Sequence, residues 1–192
     1  ELTGIIDDGY IVVDSSGVPR YKYYHEMKAN ASDQDPQGIE ISENDPYNII
    51  YSSGTTGLPK GIVHTHYVRL MYALTMTPVF RMTPESVMMH SGSIVFNATF
   101  VTLMPALYMG CTFVLLPAFN PETFVETVNR EKVTHMMIVP AQVIALLRSP
   151  KFSLKALQSI EMICNVGAPL LKEHKEELNK RLPGRFYELY GL

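Results

Sequence analysis

The sequence predicts an α/β fold in which a largely parallel sheet is flanked by helices. Three observations carry this expectation. From residue 47 onward, strand-like apolar segments alternate with helix-like ones. Several strand segments are continuously apolar, as in residues 113–116 and 136–139, which suits strands covered on both faces. Turns rich in small or hydroxyl residues fall just after strands, where ligands gather in sheets of this kind.

Taken in order, residues 11–13 and 21–24 give short strand signals, and the Asp-Ser-Ser-Gly run at 14–17 has hairpin-turn composition. Residues 28–46 are polar, carry two prolines and read as a linker or surface loop. This divides an N-terminal strand pair and linker, 1–46, from a larger region, 47–192. The strands expected in the larger region are 47–51, 86–90, 111–116, 134–139, 160–165 and 185–190. The first reads as a buried strand that gives the following bend a rigid base.

Helices fill the intervals. After Thr65, the residues Val68, Met71, Tyr72 and Thr75 share one side, and residues 98–109 are apolar nearly all round, which predicts burial. Asn120, Pro121 and Glu122 supply an N-cap, a first-turn proline and an acidic first turn. The stripe Phe124, Val125, Val128 follows, and the helix is expected to end near Lys132. Pro169 opens a more exposed helix in which Glu176 and Glu177 stand four residues ahead of Lys180 and Arg181, the favourable order for ion pairs. Pro183 and Gly184 mark its end.

Composition bounds the function. A length of 192 residues suits one to two domains, and 46% hydrophobic content supports a sizeable core. The formal charge of −3, with scattered Lys and Arg, gives no reason to expect nucleic acid or an acidic membrane surface. Cys111 and Cys164 lie in apolar runs and read as reduced core thiols, which favours a cytoplasmic home. No signal peptide opens the chain and no apolar run approaches bilayer-spanning length, so no transmembrane segment is expected. The chain starts at Glu1 without Met and reads as a piece of a longer protein.

The most informative stretch is residues 51–61, Tyr-Ser-Ser-Gly-Thr-Thr-Gly-Leu-Pro-Lys-Gly. Glycines let backbone N–H groups turn toward an anion, Ser and Thr add donors, and Lys60 brings a point charge. A Walker A motif is excluded, because Pro59 and Ile62 stand five residues past Gly54 and Gly57, where its second glycine would be. A lone Gly-Thr-Thr-Gly would suit any flexible connection; the eleven ordered residues narrow the reading to a polyphosphate loop.

That stretch resembles the phosphate-binding signature of the adenylate-forming superfamily: acyl- and aryl-CoA synthetases, peptide-synthetase adenylation domains and firefly luciferase. Two further segments fall in the family's order. Residues 165–170, with Gly167, Ala168 and Pro169, resemble its adenine segment, and the final Tyr190, Gly191 and Leu192 resemble the start of its Tyr-Gly-x-Thr-Glu motif. The likeness covers roughly residues 42–192, including the strands at 110–117 and 133–140.

The resemblance implies activation of a carboxylic acid, with fatty acid–CoA ligases as the nearest type. A carboxylate attacks the α-phosphate of ATP, pyrophosphate departs, and the thiol of CoA then displaces AMP from the acyl-adenylate. Catalysis of such a step is mainly positioning and charge neutralisation. Ser52, Ser53, Gly54, Thr55, Thr56, Gly57 and Lys60 would hold the phosphates, with Lys60 as the catalytic cation; its alternative is a solvated loop lysine. Gly167, Ala168 and Pro169 would admit the adenine, Tyr190 would stack on it, and Glu188 and Leu189 would border the pocket. On chemistry alone, the same corner could simply turn a strand into a helix, and Tyr190 could be a core aromatic.

Phe96 and Asn97, with Gly191, align with the acyl pocket, and the apolar Ile94, Val95 and Phe96 favour a fatty acyl chain. His90 aligns too early for a catalytic histidine. His64 and His66 lack an acidic or Cys third ligand, so no metal site is expected within the chain. The resemblance brings ATP, Mg2+ and CoA as substrates and cofactor of the complete protein, with its ribose-binding Asp and magnesium-binding Glu beyond Leu192. The piece alone is expected to be inactive. Alternatives are transfer to a carrier protein or another acceptor, and a non-catalytic nucleotide-binding homologue.

Overall fold

Strands that are apolar on both faces need helices on both sides, and alternate residues along each strand decide which helix layer it meets. The computed structural model describes residues 10–13, 21–52 and 57–191, apart from the side chain of Leu154. The expected turn at 14–17, the bend residues Ser53, Gly54, Thr55 and Thr56, and Leu192 lie outside the described residues.

Two units are distinguished, residues 1–41 and 42–192. In the first, β1 (Ile11–Val12) pairs with β2 (Lys22–Tyr23), Ile11 opposite Lys22. The pairing is parallel, not the antiparallel arrangement that a hairpin turn would give. A tight turn enforces antiparallel strands; a connection across residues 13–21 does not. Tyr24 opens helix α1 (Tyr24–Ala29) rather than extending the strand.

The second unit begins with β3 (Pro46–Ser52) and β4 (Lys60–Thr65), which form an antiparallel two-stranded ribbon separate from the main sheet. This corrects the expectation of a buried strand at 47–51. Tyr47, Ile49 and Tyr51 share one face and are exposed, so the strand alternates rather than being covered on both sides. Gly61 is required by close approach: a Cβ there would lie 3.1 Å from Ile49 Cγ2 and 3.3 Å from the Tyr51 ring.

Helix α2 (His66–Val79) follows, capped by Thr65, whose hydroxyl accepts from Val68 N at 3.3 Å. Next come β5 (Val87–Ser91), a 3-10 turn (Asn97–Thr99), α3 (Phe100–Met109) and β6 (Thr112–Leu116). Helix α4 (Pro121–Glu131) starts as the sequence predicts, with Asn120 Oδ1 accepting from Glu122 N and Thr123 N at 3.0 and 3.1 Å. After β7 (His135–Ile138) comes α5 (Pro140–Arg148), which the sequence reading did not name. Its start carries signals after all: Pro140 in the first turn, and Gln142 Oε1 accepting from Val139 N at 3.1 Å. A second 3-10 turn (Leu154–Leu157), β8 (Met162–Asn165), α6 (Lys172–Arg181) and β9 (Phe186–Glu188) complete the unit.

The five strands β5 to β9 lie parallel in the order β6-β5-β7-β8-β9. Met89, Met136, Ile138 and Ile163 pack with Phe124, Val128, Val143, Leu146 and Leu178 of α4, α5 and α6. On the other face Met88, Met137, Met162 and Cys164 meet Phe80, Met82, Val101 and Ala106. Each large side chain fully buried in these layers contributes roughly 1.5–3 kcal/mol relative to exposure.

Two helices depart from expectation. Helix α3 buries Val101, Thr102, Pro105 and Ala106 but leaves Leu107 and Tyr108 exposed. Helix α6 begins at Lys172, three residues after Pro169; Glu177 meets Arg181 at 2.9 Å, whereas Glu176 pairs back to Lys172 at 3.7 Å.

His135 is wholly buried in β7. Its Nε2 lies 2.9 Å from the Phe80 carbonyl, and its Nδ1 lies 2.7 Å from the Thr134 hydroxyl, a pattern that suits a neutral ring protonated on Nε2. Burial pushes its pKa below the ordinary 6.5, with the Phe80 carbonyl acting in the opposite direction. The unfolded chain therefore takes up the proton first as pH falls. The neutral ring's contribution is complete above about pH 6.5 and declines below it. The urea midpoint is expected to drop between about pH 7.5 and about pH 5.5, and to drop less in His135→Gln; an equal drop in both proteins would contradict this assignment.

Candidate functional site

A parallel sheet leaves its functional edge at the carboxyl ends of the strands. There, Val166 N donates to Ile138 O at 3.0 Å and Leu189 N to Asn165 O at 2.9 Å, so strands β7, β8 and β9 end nearly level. The chain then turns through Gly167, whose φ of 91° is a left-handed conformation that favours glycine. A cavity of about 300 Å³ opens at this corner, lined by Gly167, Ala168, Pro169, Glu188, Leu189, Tyr190 and Gly191. All six residues expected beside an adenine are thus gathered in one place. Tyr190 is 82% exposed, so it is a cavity rim and not a core aromatic.

Glu188 holds the corner rather than projecting freely into it. Its Oε1 accepts from Leu170 N at 3.1 Å and Asn165 Nδ2 at 3.4 Å, and Oε2 is paired with the Lys175 ammonium. Lys175 first, and then the Leu170 N–H, hold the Glu188 carboxyl below its usual range. Asn165 is fully buried and also donates to Ala168 O at 3.0 Å, closing the Gly-Ala-Pro turn on itself.

A second cavity, about 270 Å³, lies at the ends of β5 and β7. Phe96, Phe119, Met137, Ile138, Val139 and Val166 give it an apolar wall, with His90 and Gln142 as polar members. Val139 also stands 3.8 Å from the place a Gly167 Cβ would occupy, beside the first cavity. The three residues expected to share an acyl pocket are separated. Phe96 lines the second cavity and Gly191 the first. Asn97 lines neither: its Oδ1 accepts from Arg69 Nη1 at 2.9 Å and its Nδ2 donates to the Tyr72 hydroxyl at 3.0 Å.

His90 went unassigned from the sequence, yet it is a wall residue here. Its Nε2 lies 3.1 Å from Ser93 O and 3.2 Å from Thr99 Oγ1, and burial pushes its pKa down. Its place near the carboxyl end of a parallel strand was the available signal. Of the phosphate-loop candidates among the described residues, Ser52 and Lys60 face each other in register across the ribbon. Lys60 is exposed, and Gly57 has a φ of 89°. None of these three lines either cavity. No group of three His, Cys, Asp or Glu among the described residues is arranged to hold a metal ion, and no helix among them is long and apolar enough to cross a membrane.

Comparison with known proteins yields consistent matches. Residues 4–192 match the family described as AMP-binding enzyme. The chain is 31% identical over 179 residues to 4-coumarate--CoA ligase 2 of Oryza sativa subsp. japonica, covering 88% of this chain and 31% of that protein. It is 29% identical over 204 residues to 4-coumarate--CoA ligase 1 of Arabidopsis thaliana, covering 97% and 36%. It therefore spans about a third of the length of these curated relatives. Among solved structures, ATP-bound MatB from Rhodopseudomonas palustris superposes with a TM-score of 0.78 at 28% identity, covering 88% of this chain and 33% of that one.

Replacing Glu188 by Ala would strand the Leu170 N–H and the Asn165 amide and leave Lys175 unpaired. Glu188→Ala is expected to destabilise the fold by about 1–3 kcal/mol, read from urea unfolding. Glu188→Gln, which retains an acceptor, is expected to lose less; equal losses would show that only the charge matters.

Proposed function

Because this chain belongs to the AMP-binding enzyme family, we propose that the protein carrying it activates a carboxylic acid with ATP to an acyl-adenylate and transfers the acyl group to CoA. The observation that carries this reading is the first cavity: all the residues assigned to adenine by resemblance line it, at the carboxyl ends of parallel strands. Its volume of about 300 Å³ lies at the small-ligand end of binding pockets, roughly 300–1,000 Å³.

The adenine would lie against the backbone of Gly167 and Ala168, where the absence of large side chains permits close approach, with the Tyr190 ring available for stacking. Residues 52–57 and Lys60 would bind the triphosphate through hydroxyls, backbone N–H groups and the ammonium. In the first step the carboxylate oxygen attacks the α-phosphorus as its bond to pyrophosphate breaks, and charge grows on the phosphate oxygens that these donors meet. In the second, the CoA sulfur attacks the acyl carbonyl and AMP leaves with the electron pair. Mg2+ is expected with ATP by resemblance; the described residues do not assemble ligands for it.

The second cavity is the natural place for the acid. Its apolar wall supports a fatty acid as substrate. An aromatic acid is the second reading, favoured by the curated relatives named for 4-coumarate. Transfer to a carrier protein instead of CoA is a further alternative for the second step. The free thiols Cys111 and Cys164 support a reducing, cytosolic location.

Acid-dependent exchange of labelled pyrophosphate into ATP by the complete protein tests the reading. Exchange is expected with a fatty or hydroxycinnamic acid from a panel that also contains amino acids; silence across the whole panel would reject adenylation. Within an active protein, Lys60→Ala is expected to lower kcat/KM for ATP by roughly 1.5–3 kcal/mol, the size of a lost charged hydrogen bond. An unchanged value would make Lys60 a solvated loop residue.

A further inference from the structure

Arg69, on α2, is 1% exposed, and among the described residues no carboxylate pairs with it. A guanidinium removed from water without a counter-ion is costly, and an apolar side chain would fill the same space without that penalty. What Arg69 has instead is a set of directed contacts. Its Nε and Nη2 donate to Asn48 Oδ1 at 3.1 and 2.9 Å, and Nη1 donates to Asn97 Oδ1 at 2.9 Å. Its cationic face lies 3.9 Å from the centre of the Phe100 ring and 5.0 Å from that of Tyr72.

The two amides lead in different directions. Asn48 belongs to β3, whose last residue, Ser52, opens the Gly/Ser/Thr bend. Asn97 stands between Phe96 and Ala98, both of which line the second cavity. Asn97 Nδ2 passes the connection to the Tyr72 hydroxyl, back on α2. One planar fork therefore spans the ribbon and the cavity wall, a geometry that neither a lysine nor an apolar residue can reproduce.

We propose that Arg69 is a positioning residue that couples the two substrates. It ties the ribbon that leads into the triphosphate bend to the turn that walls the acid cavity, so that binding at either one favours binding at the other. This inference rests on the adenylating reading given above. Coupling of this kind is reciprocal: ATP tightens acid binding by the factor by which the acid tightens ATP binding.

The test uses the complete protein and α,β-methylene-ATP, titrated calorimetrically with and without octanoate, and with and without 4-coumarate. In wild type, whichever acid supports pyrophosphate exchange is expected to tighten binding of the analogue about fivefold or more. Arg69→Lys keeps a cation in the aromatic slot but cannot hold both amides, and the factor is expected to fall toward one. Asn48→Ala cuts the same link from the ribbon side and should give the same loss. A purely structural arginine would lower the yield of folded protein while leaving the factor intact in the molecules that fold. Wild type without any acid-dependent exchange overturns both the adenylating reading and the coupling. Active wild type with no mutual tightening, variants that retain it, or insolubility of both variants overturns the coupling alone.

Discussion

The pairing of β8 between two parallel neighbours is the constraint on which the rest of this unit depends. Parallel strands bond along slanted, evenly spaced ladders, and each requires its neighbour to run alongside. With β7 and β9 both in register with β8, the chain leaves all three strands at nearly the same height. The backbone must then turn sharply to reach the next helix, and a left-handed glycine followed by Ala168 and Pro169 is how it does so. The recess at that corner is thus a product of sheet geometry, reinforced by the Glu188 carboxylate on Leu170 and Asn165.

Three buried polar side chains are tied to the backbone or to an amide, not to an opposite charge. His135 bonds the Phe80 carbonyl, Asn165 bonds Ala168, and Arg69 bonds two asparagines. The Lys175–Glu188 pair at the corner is half-buried, whereas Lys151 between Glu122 and Glu126 lies at the surface, where solvent screens the pairing and its net contribution is small. Directed hydrogen bonds in a low-dielectric interior fix geometry more tightly than such pairs do.

What was legible in the sequence was the part governed by local rules. Strands such as β6 announce themselves by continuous apolar character, here over residues 113–116, and α4 by its Asn-Pro-Glu start. Six of the seven residues lining the corner cavity were identifiable as neighbours because a family signature happens to coincide with a strand-to-helix turn. The ribbon was misread because Ile49 and Ile50 look like core residues until β4 is known to pair with β3 and to leave one face uncovered. Arg69 and Asn48 gave no signal, since their significance comes from a meeting across 21 positions of chain. Asn97 was placed in a pocket by alignment, but a hydrogen bond to a distant arginine turned its amide elsewhere.

Met137 belongs to the sheet's second packing layer and also forms part of the apolar cavity wall, next to Ile138 and Val139. An unbranched thioether side chain has three rotatable bonds and accommodates neighbours of differing outline, whereas β-branched residues are stiff at their first torsion. The wall is accordingly compliant at one point and rigid at the two beside it. Were the proposed acid to occupy this cavity, discrimination by girth would reside with the isoleucine and valine, and the methionine would give latitude for more than one contour.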